Sequence, residues 1–161
     1  MPAVETAGDC ENRSPSQYDA SGVCYQCNKL QMGVVCMAWK IVVVEPALSW
    51  LHGLRRTDRD TLIQVSQAVA ALQEEGPALG RPLVDTIKGS VLPNLKELRP
   101  GSAGATEVRL LFVFDPDRQA VILVGGDKAG NWSGWYRVAV PQAEQAYAEH
   151  LKRIDGEDGA R

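Results

Sequence analysis

Two clusters of turn-forming residues, Pro100-Gly101-Ser102-Ala103-Gly104 and Asp115-Pro116-Asp117-Arg118, cut the second half of the chain into short apolar runs. They constrain the fold more than any other feature, because short runs joined by tight turns must lie side by side as antiparallel hairpins. The runs are Leu95–Arg99, Val108–Phe114 and Ala120–Gly125, and together they predict a β-meander. Leu83–Ile87 fits either a further strand or an extended loop. Upstream, the β-branched run Trp39–Val44 predicts a strand that stops at Glu45-Pro46. Pro46 suits the first turn of a helix carrying Ala47, Leu48, Leu51 and Leu54. Thr57, followed three residues later by Asp60, predicts the start of a second helix, with Leu62, Val65, Val69 and Leu72 at helical spacing and Gly76-Pro77 as its stop. A last helix is predicted from Pro141, with Ala143, Ala146, Tyr147, Leu151 and Ile154 on one stripe. The expected fold class is α+β: an antiparallel pair of N-terminal helices packed on a small antiparallel meander, followed by a C-terminal helix.

A chain of 161 residues with 45% hydrophobic content is enough for one core. Its longest apolar runs fall far short of the ~20 residues that span a bilayer, so no membrane association is expected. Glu5, Asp9, Glu11 and Asp19 interrupt the start of the chain, which lacks the apolar stretch of a signal peptide, and a cytoplasmic protein is expected. A net charge of −3 argues against a generally basic nucleic-acid binder. Residues 38–152 carry as many cations as anions, and residues 81–137 have a slight cationic surplus, which suits a small cationic pocket.

The four cysteines, Cys10, Cys24, Cys27 and Cys36, all precede the first predicted strand. Cys24 and Cys27 have the spacing of a zinc knuckle, but Cys10 and Cys36 make no second knuckle and no histidine is near, so neither a metal nor another cofactor is expected. A thioredoxin-like redox site would need a strand before and a helix after, and the polar sequence supplies neither. We expect the native chain to start at Met37, with residues 1–36 an upstream extension or a disordered tail, so that residues 1–37 are a disordered or non-native stretch ahead of the folded domain. Residues 38–154 form the expected folded domain and residues 155–161 a disordered tail. His52 and His150 fall on predicted helices and are read as packing or surface residues.

The hairpins allow a register estimate. A first turn centred near residue 104 puts Arg99 opposite Arg109, and a second centred near 117–118 puts Arg109 opposite about Gly126, close to Lys128. Three cations then reach one level on neighbouring strands. Opposed like charges destabilise a sheet, so something must offset them. One reading is structural: Glu97, two residues before Arg99 and on the same face, neutralises it. The other is an anion site, in which the arginine forks grip phosphate and Lys128 moves a proton. The stretch Val124–Tyr136 favours the second reading. Gly125 and Gly126 are expected to let the chain leave the sheet tightly, into a loop holding Lys128 beside Trp132, Trp135 and Tyr136. Flat rings beside a phosphate pocket suit single-stranded RNA, whose bases stack at about 1–3 kcal/mol each. Each ring could equally pack against the last helix. The glycines match neither phosphate-loop pattern, which excludes a nucleotide-binding fold.

The runs LPNLKELRP, VRLLFVF and AVILVGGDKAGNW, in this order and with two helices before and one after, resemble the RelE/ParE superfamily of type II toxins, in its HigB-like, phage-derived branch. The resemblance covers residues 38 to about 152. It implies a microbial-RNase-like fold and a metal-free mRNA endonuclease acting on translating ribosomes. It also implies a helix-turn-helix antitoxin of HigA type, held in a hetero-oligomer. The family's catalytic arginines fall on Arg99 and Arg109 and its basic position on Lys128, with Tyr136 as a further catalytic candidate. Lys88, Lys96, Trp132 and Trp135 are the candidate RNA-binding residues. The family often has two lysines after an aromatic where this chain has Gly-Gly-Asp-Lys. Two rival readings follow: a ParE-like gyrase inhibitor without nuclease chemistry, and an inactive antitoxin-binding remnant.

Overall fold

A computed structural model describes residues 38–102 and 104–158. The cysteines, the expected start at Met37, the extension over 1–37 and residues 159–161 of the expected tail lie outside the described residues.

The elements are β1 (Lys40–Val43), α1 (Ala47–Thr57), α2 (Arg59–Glu75), β2 (Val84–Thr86), β3 (Lys96–Leu98), β4 (Val108–Phe114), β5 (Gln119–Asp127) and α3 (Trp132–Asp158). They form a five-stranded sheet of order β1-β5-β4-β3-β2. The fold is α+β, as the alternation of turns and strands predicts. Strands β2 to β5 are the antiparallel meander. The strand from Trp39–Val44 joins it beyond β5 and runs parallel to it, Lys40 beside Gln119 and Val43 beside Ile122. Parallel neighbours need a long connection, and here α1, α2 and strands β2 to β4 all lie between β1 and β5.

The two helices meet at Asp58, which caps both. Its backbone N–H donates to the Leu54 carbonyl at the end of α1, while Oδ1 accepts from the Thr61 backbone N–H at 3.0 Å and Oδ2 from the Thr61 hydroxyl at 2.6 Å. This corrects the capping pair expected from Thr57 and Asp60. Thr57 is still inside α1, where its hydroxyl donates to the Gly53 carbonyl at 3.1 Å.

The sheet is covered on both faces. On one, Ala47 of α1 and Val65, Ala68 and Leu72 of α2 pack on Leu98, Val108, Leu110, Phe112, Ala120 and Ile122. On the other, Ala139, Ala143 and Ala146 of α3 pack on Leu111, Val113, Val121 and Leu123. The alanine stripe lets α3 lie close to the strands. A bulge in β5 sets which side chain faces which layer. Leu111 pairs with Val124 and Phe112 with Ile122, so Leu123 is one residue extra. Because side chains alternate between faces, that residue reverses the facing of everything after it. Gly125 consequently lies under Trp50 of α1, and Gly126 under Trp135 of α3.

Three expectations are corrected here. The glycines do not take the chain out of the sheet; β5 runs through both to Asp127. What they provide is room, since a Cβ at Gly125 would sit 2.3 Å from Trp50 Cε3 and one at Gly126 2.4 Å from Trp135 Nε1. The aromatic cluster is not in a loop, because α3 starts at Trp132 and Pro141 lies inside it. Pro141 cannot donate to the carbonyl four residues back, but the packing of Ala139, Ala143 and Ala146 keeps the helix continuous across it. The same helix runs to Asp158, so residues 155–158 are helical, not a disordered tail.

Candidate active site

The site lies at the end of the sheet where β3, β4 and β5 meet the start of α3. Lys96 pairs with Phe112, Glu97 with Leu111 and Leu98 with Leu110, and the same register carried one step on sets Arg99 opposite Arg109. Arg109 pairs with Gly126. The expected register therefore holds on both hairpins. Glu97, Arg99 and Arg109 alternate with Leu98 and Leu110 of the opposite core, so they face α3. Lys128 follows directly after β5, where its backbone N–H donates to the Glu107 carbonyl. The turn is built by Asp127, whose Oδ1 accepts from the backbone N–H groups of Glu107 and Ala129, both at 2.9 Å.

The electrostatics separate the three cations. Arg99 is paired: Nε donates to Glu97 Oε1 at 2.7 Å and Nη2 to Asp85 Oδ2 at 2.8 Å. Asp85 also holds Arg81 at 2.8 Å. Burial works against the Arg99 charge, yet the hydrogen bond and charge of Glu97, with Asp85 behind, hold its pKa above the ordinary arginine value. The neutralising pair anticipated as the structural reading is thus present. Lys128, only 6% exposed, has Glu107 Oε2 at 3.6 Å and stands over the rings of Trp132 at 5.2 Å and Tyr136 at 5.8 Å. Arg109 differs from both. Its Nη1 donates to the Val108 carbonyl at 2.7 Å, its buried Nε has no hydrogen-bond partner, and it makes no ion pair among the described residues. A half-buried guanidinium with a buried idle donor is a group in want of an acceptor.

Tyr136, on the second turn of α3, points its hydroxyl across to β3 and donates to Glu97 Oε2 at 2.5 Å. A hydroxyl this close to a carboxylate is a charge-assisted bond. Burial, then the hydrogen bond and charge of Glu97, push the Tyr136 pKa up to about 12 against the opposing pull of Arg109 and Arg99. At neutral pH it is a phenol that donates.

The candidate RNA-binding residues divide. Trp132 is 65% exposed, edge-on to Tyr136 at 5.6 Å, and forms an open ring beside Lys128. Trp135 is a packing residue: it fills the seat over Gly126 and joins the α3 core. Lys96 alternates with Glu97 and so faces the α1–α2 layer, where Nζ bonds Thr86 Oγ1 at 3.3 Å, away from the arginines. Lys88 is exposed in the β2–β3 connection. His52 is exposed on α1. His150 is buried on α3, Nε2 3.3 Å from Asp115 Oδ2 at the far end of the sheet. Sequence reasoning missed Asp85 as a second partner of Arg99 and the bond between Glu97 and Tyr136. The β2–β3 pairing of Asp85 with Glu97 would have revealed the first.

Comparison with known proteins adds the lineage. Residues 49–148 match the family model described as "Phage derived protein Gp49-like (DUF891)". The "Putative toxin HigB2" of Mycobacterium tuberculosis is 53% identical over 112 residues, which are 70% of this chain and 54% of that protein. The "Putative toxin HigB3" of the same organism is 45% identical over 105 residues, 65% of this chain and 87% of that one. The chain thus spans about half the length of the first of these relatives. Among solved structures, a mutant of the E. coli toxin RelE in the free state matches with a TM-score of 0.44 and 19% identity, over 73% of this chain and 99% of that one. The family match covers most of the chain and includes every candidate residue, and the conclusion is that this protein belongs to the phage-derived Gp49-like family, alongside the HigB-named proteins.

Proposed function

We propose that this protein is the toxin of a type II toxin–antitoxin pair and that it cuts mRNA on translating ribosomes in the cytoplasm, without a metal. The observation that carries the reading is Arg109, a guanidinium with a buried idle donor, in register with Arg99 and beside Lys128. RNA supplies its own nucleophile. The 2′-OH attacks the adjacent phosphorus, the 5′ oxygen leaves, and a protein needs to hold the chain in line, stabilise the extra charge on the phosphorane and manage two protons. Arg109 and Arg99 are the charge stabilisers. Lys128 protonates the leaving 5′ oxygen, and Tyr136 stands on the side of the attacking hydroxyl. Trp132 offers a ring to an unstacked base. Lys88 lies too far along the β2–β3 connection to share in the chemistry and is proposed only as an outlying phosphate contact. The partner is a helix-turn-helix antitoxin of HigA type, bound in a hetero-oligomer that silences the toxin.

Expression of the unopposed chain in growing cells, with transcript ends mapped, tests the reading. Growth arrest with new cuts inside translated messages is expected, and both are expected to vanish in Arg109→Ala and in Lys128→Ala variants that still fold. Removing one preorganised charge stabiliser costs about 10²–10³ in rate. Intact transcripts with DNA damage would favour a ParE-like gyrase inhibitor, and normal growth an inactive remnant.

A further inference from the structure

Glu97 has more to do than neutralise Arg99. Its carboxylate is 2% exposed, in the middle of β3, and a buried charge is costly unless every lone pair is engaged. Arg99 already has Asp85 as a counter-ion nearer the surface. Glu97 also reaches the other way, and its second oxygen takes the hydroxyl of Tyr136 from α3 at 2.5 Å. The Tyr136 ring in turn adjoins Lys128 and the exposed Trp132. A line of groups therefore runs from the open surface through the Tyr136 oxygen to a carboxylate held beneath it, with Arg99 on the carboxylate's other side.

We propose that Glu97 is the terminal proton acceptor of the RNA cleavage, reached through Tyr136 as a relay. As the 2′ oxygen bonds to phosphorus, its proton passes to Tyr136 Oη while the proton already on Oη passes to Glu97 Oε2. The bond from phosphorus to the 5′ oxygen breaks, and that oxygen takes a proton from Lys128. Glu97 has then gained one proton and Lys128 has lost one; exchange with solvent after the products leave restores both. Tyr136 begins and ends as a neutral phenol, so a hydroxyl held protonated still conducts. The arriving proton also cancels the Glu97 charge, leaving the Arg99 cation less compensated at the moment the phosphorane gathers negative charge. Glu97 never touches RNA in this scheme and is a positioning and proton-accepting residue behind Tyr136. The inference rests on the endonuclease reading above.

The test uses the purified full chain and a message bound to translating ribosomes, cut in single turnover. Glu97→Gln and Tyr136→Phe are each expected to slow cleavage by about 10²–10⁴-fold, the usual share of a positioned proton acceptor. Because both sever one relay, the double variant should be no slower than the slower single one, whereas independent roles would multiply. Cleavage by Glu97→Gln at the wild-type rate, or a multiplied loss in the double variant, would overturn the relay. A readout without RNA runs beside it: the near-ultraviolet tyrosinate transition that Tyr136→Phe removes should move to lower pH in Glu97→Gln, and an unmoved transition also overturns the proposal. Should Glu97→Gln fail to fold, Tyr136→Phe decides, since it keeps the ring packing and loses only the relay atom; full cleavage by it sinks the scheme. A wild-type chain that leaves RNA whole would reject the endonuclease reading itself, while the tyrosinate comparison still judges the coupling of Glu97 to Tyr136.

Discussion

Gly126→Ala should be disproportionate to the single methyl it adds. A Cβ built there would lie 2.4 Å from Trp135 Nε1 and 3.1 Å from Cε2. Carbon contacts are comfortable at about 3.5–4.0 Å, so the overlap is about 1 Å against a flat, rigid ring. The indole has little room to yield: the Trp135 backbone is bonded to the Asn131 carbonyl at 3.0 Å, and its ring abuts Tyr136 at 5.0 Å. Overpacking of this kind costs about 1–3 kcal/mol. In a unit of this size each kcal/mol lowers Tm by roughly 4 °C, so thermal unfolding followed by circular dichroism should show a fall of roughly 4–12 °C. Trp135→Phe, which takes away the clashing atoms, should restore part of that stability, with a coupling of about 1 kcal/mol or more in a double-mutant cycle. Gly125→Ala is the matched control, since its Cβ would meet Trp50 at 2.3 Å on the opposite face. Both variants should lose stability, but only Gly126→Ala pushes on the residue next to Tyr136 and should lose RNA cleavage beyond its loss of fold. An unchanged Tm for Gly126→Ala, or no coupling with Trp135→Phe, would refute the seating argument.

Two titrations follow from the same contacts. The Tyr136 pKa is raised from 10.0 to about 12, first by burial and then by Glu97, so its contribution to stability is fully present below about pH 10 and lost as pH rises towards 12; Tyr136→Phe should flatten that alkaline fall in a Tm-against-pH series. Asp58 behaves oppositely. Its pKa is lowered, chiefly by the Thr61 hydroxyl and then by the Thr61 backbone N–H, so its contribution is present above the ordinary carboxylate range and lost as pH drops through the depressed value. Asp58→Asn keeps a capping oxygen but should remove that acid dependence, while Asp58→Ala should lower Tm across the whole range.

The part of this fold written plainly in the sequence is the part governed by local rules. Tight turns pin hairpin register, and the pairing of Arg109 with Gly126 follows from turn position alone. The parallel docking of β1 against β5 has no local signature, because the partners are separated by α1, α2 and most of the meander. The start of α3 was obscured by its own residues: Gly134 and Pro141 normally end or begin helices, and here tertiary packing carries the helix past both. The bulge at Leu123 was likewise hidden, although it decides that Trp135, and not Trp50, covers Gly126. At the site, like-charge convergence was legible from alternation and register. The pairing of Glu97 with Arg99 was legible from their shared face; the reach of Glu97 to Tyr136 and the parts of Asp85 and Glu107 were not, since those contacts depend on side chains crossing between strands, loop and helix. Trp135 and Trp132 look equivalent as letters; only burial separates the packing residue from the exposed ring.

The most direct test of the central claim, that a cluster of arginines, a lysine and a tyrosine turns RNA's own hydroxyl on its backbone, is the chemistry of the cut ends. Messages cleaved by the purified chain during translation would be analysed for their terminal groups by ligation and phosphatase sensitivity. Upstream fragments ending in a 2′,3′-cyclic phosphate, with downstream fragments starting in a 5′-hydroxyl, are the expected products. Upstream 3′-hydroxyls with downstream 5′-phosphates would mean that water, not the 2′ oxygen, attacks, and would contradict the account.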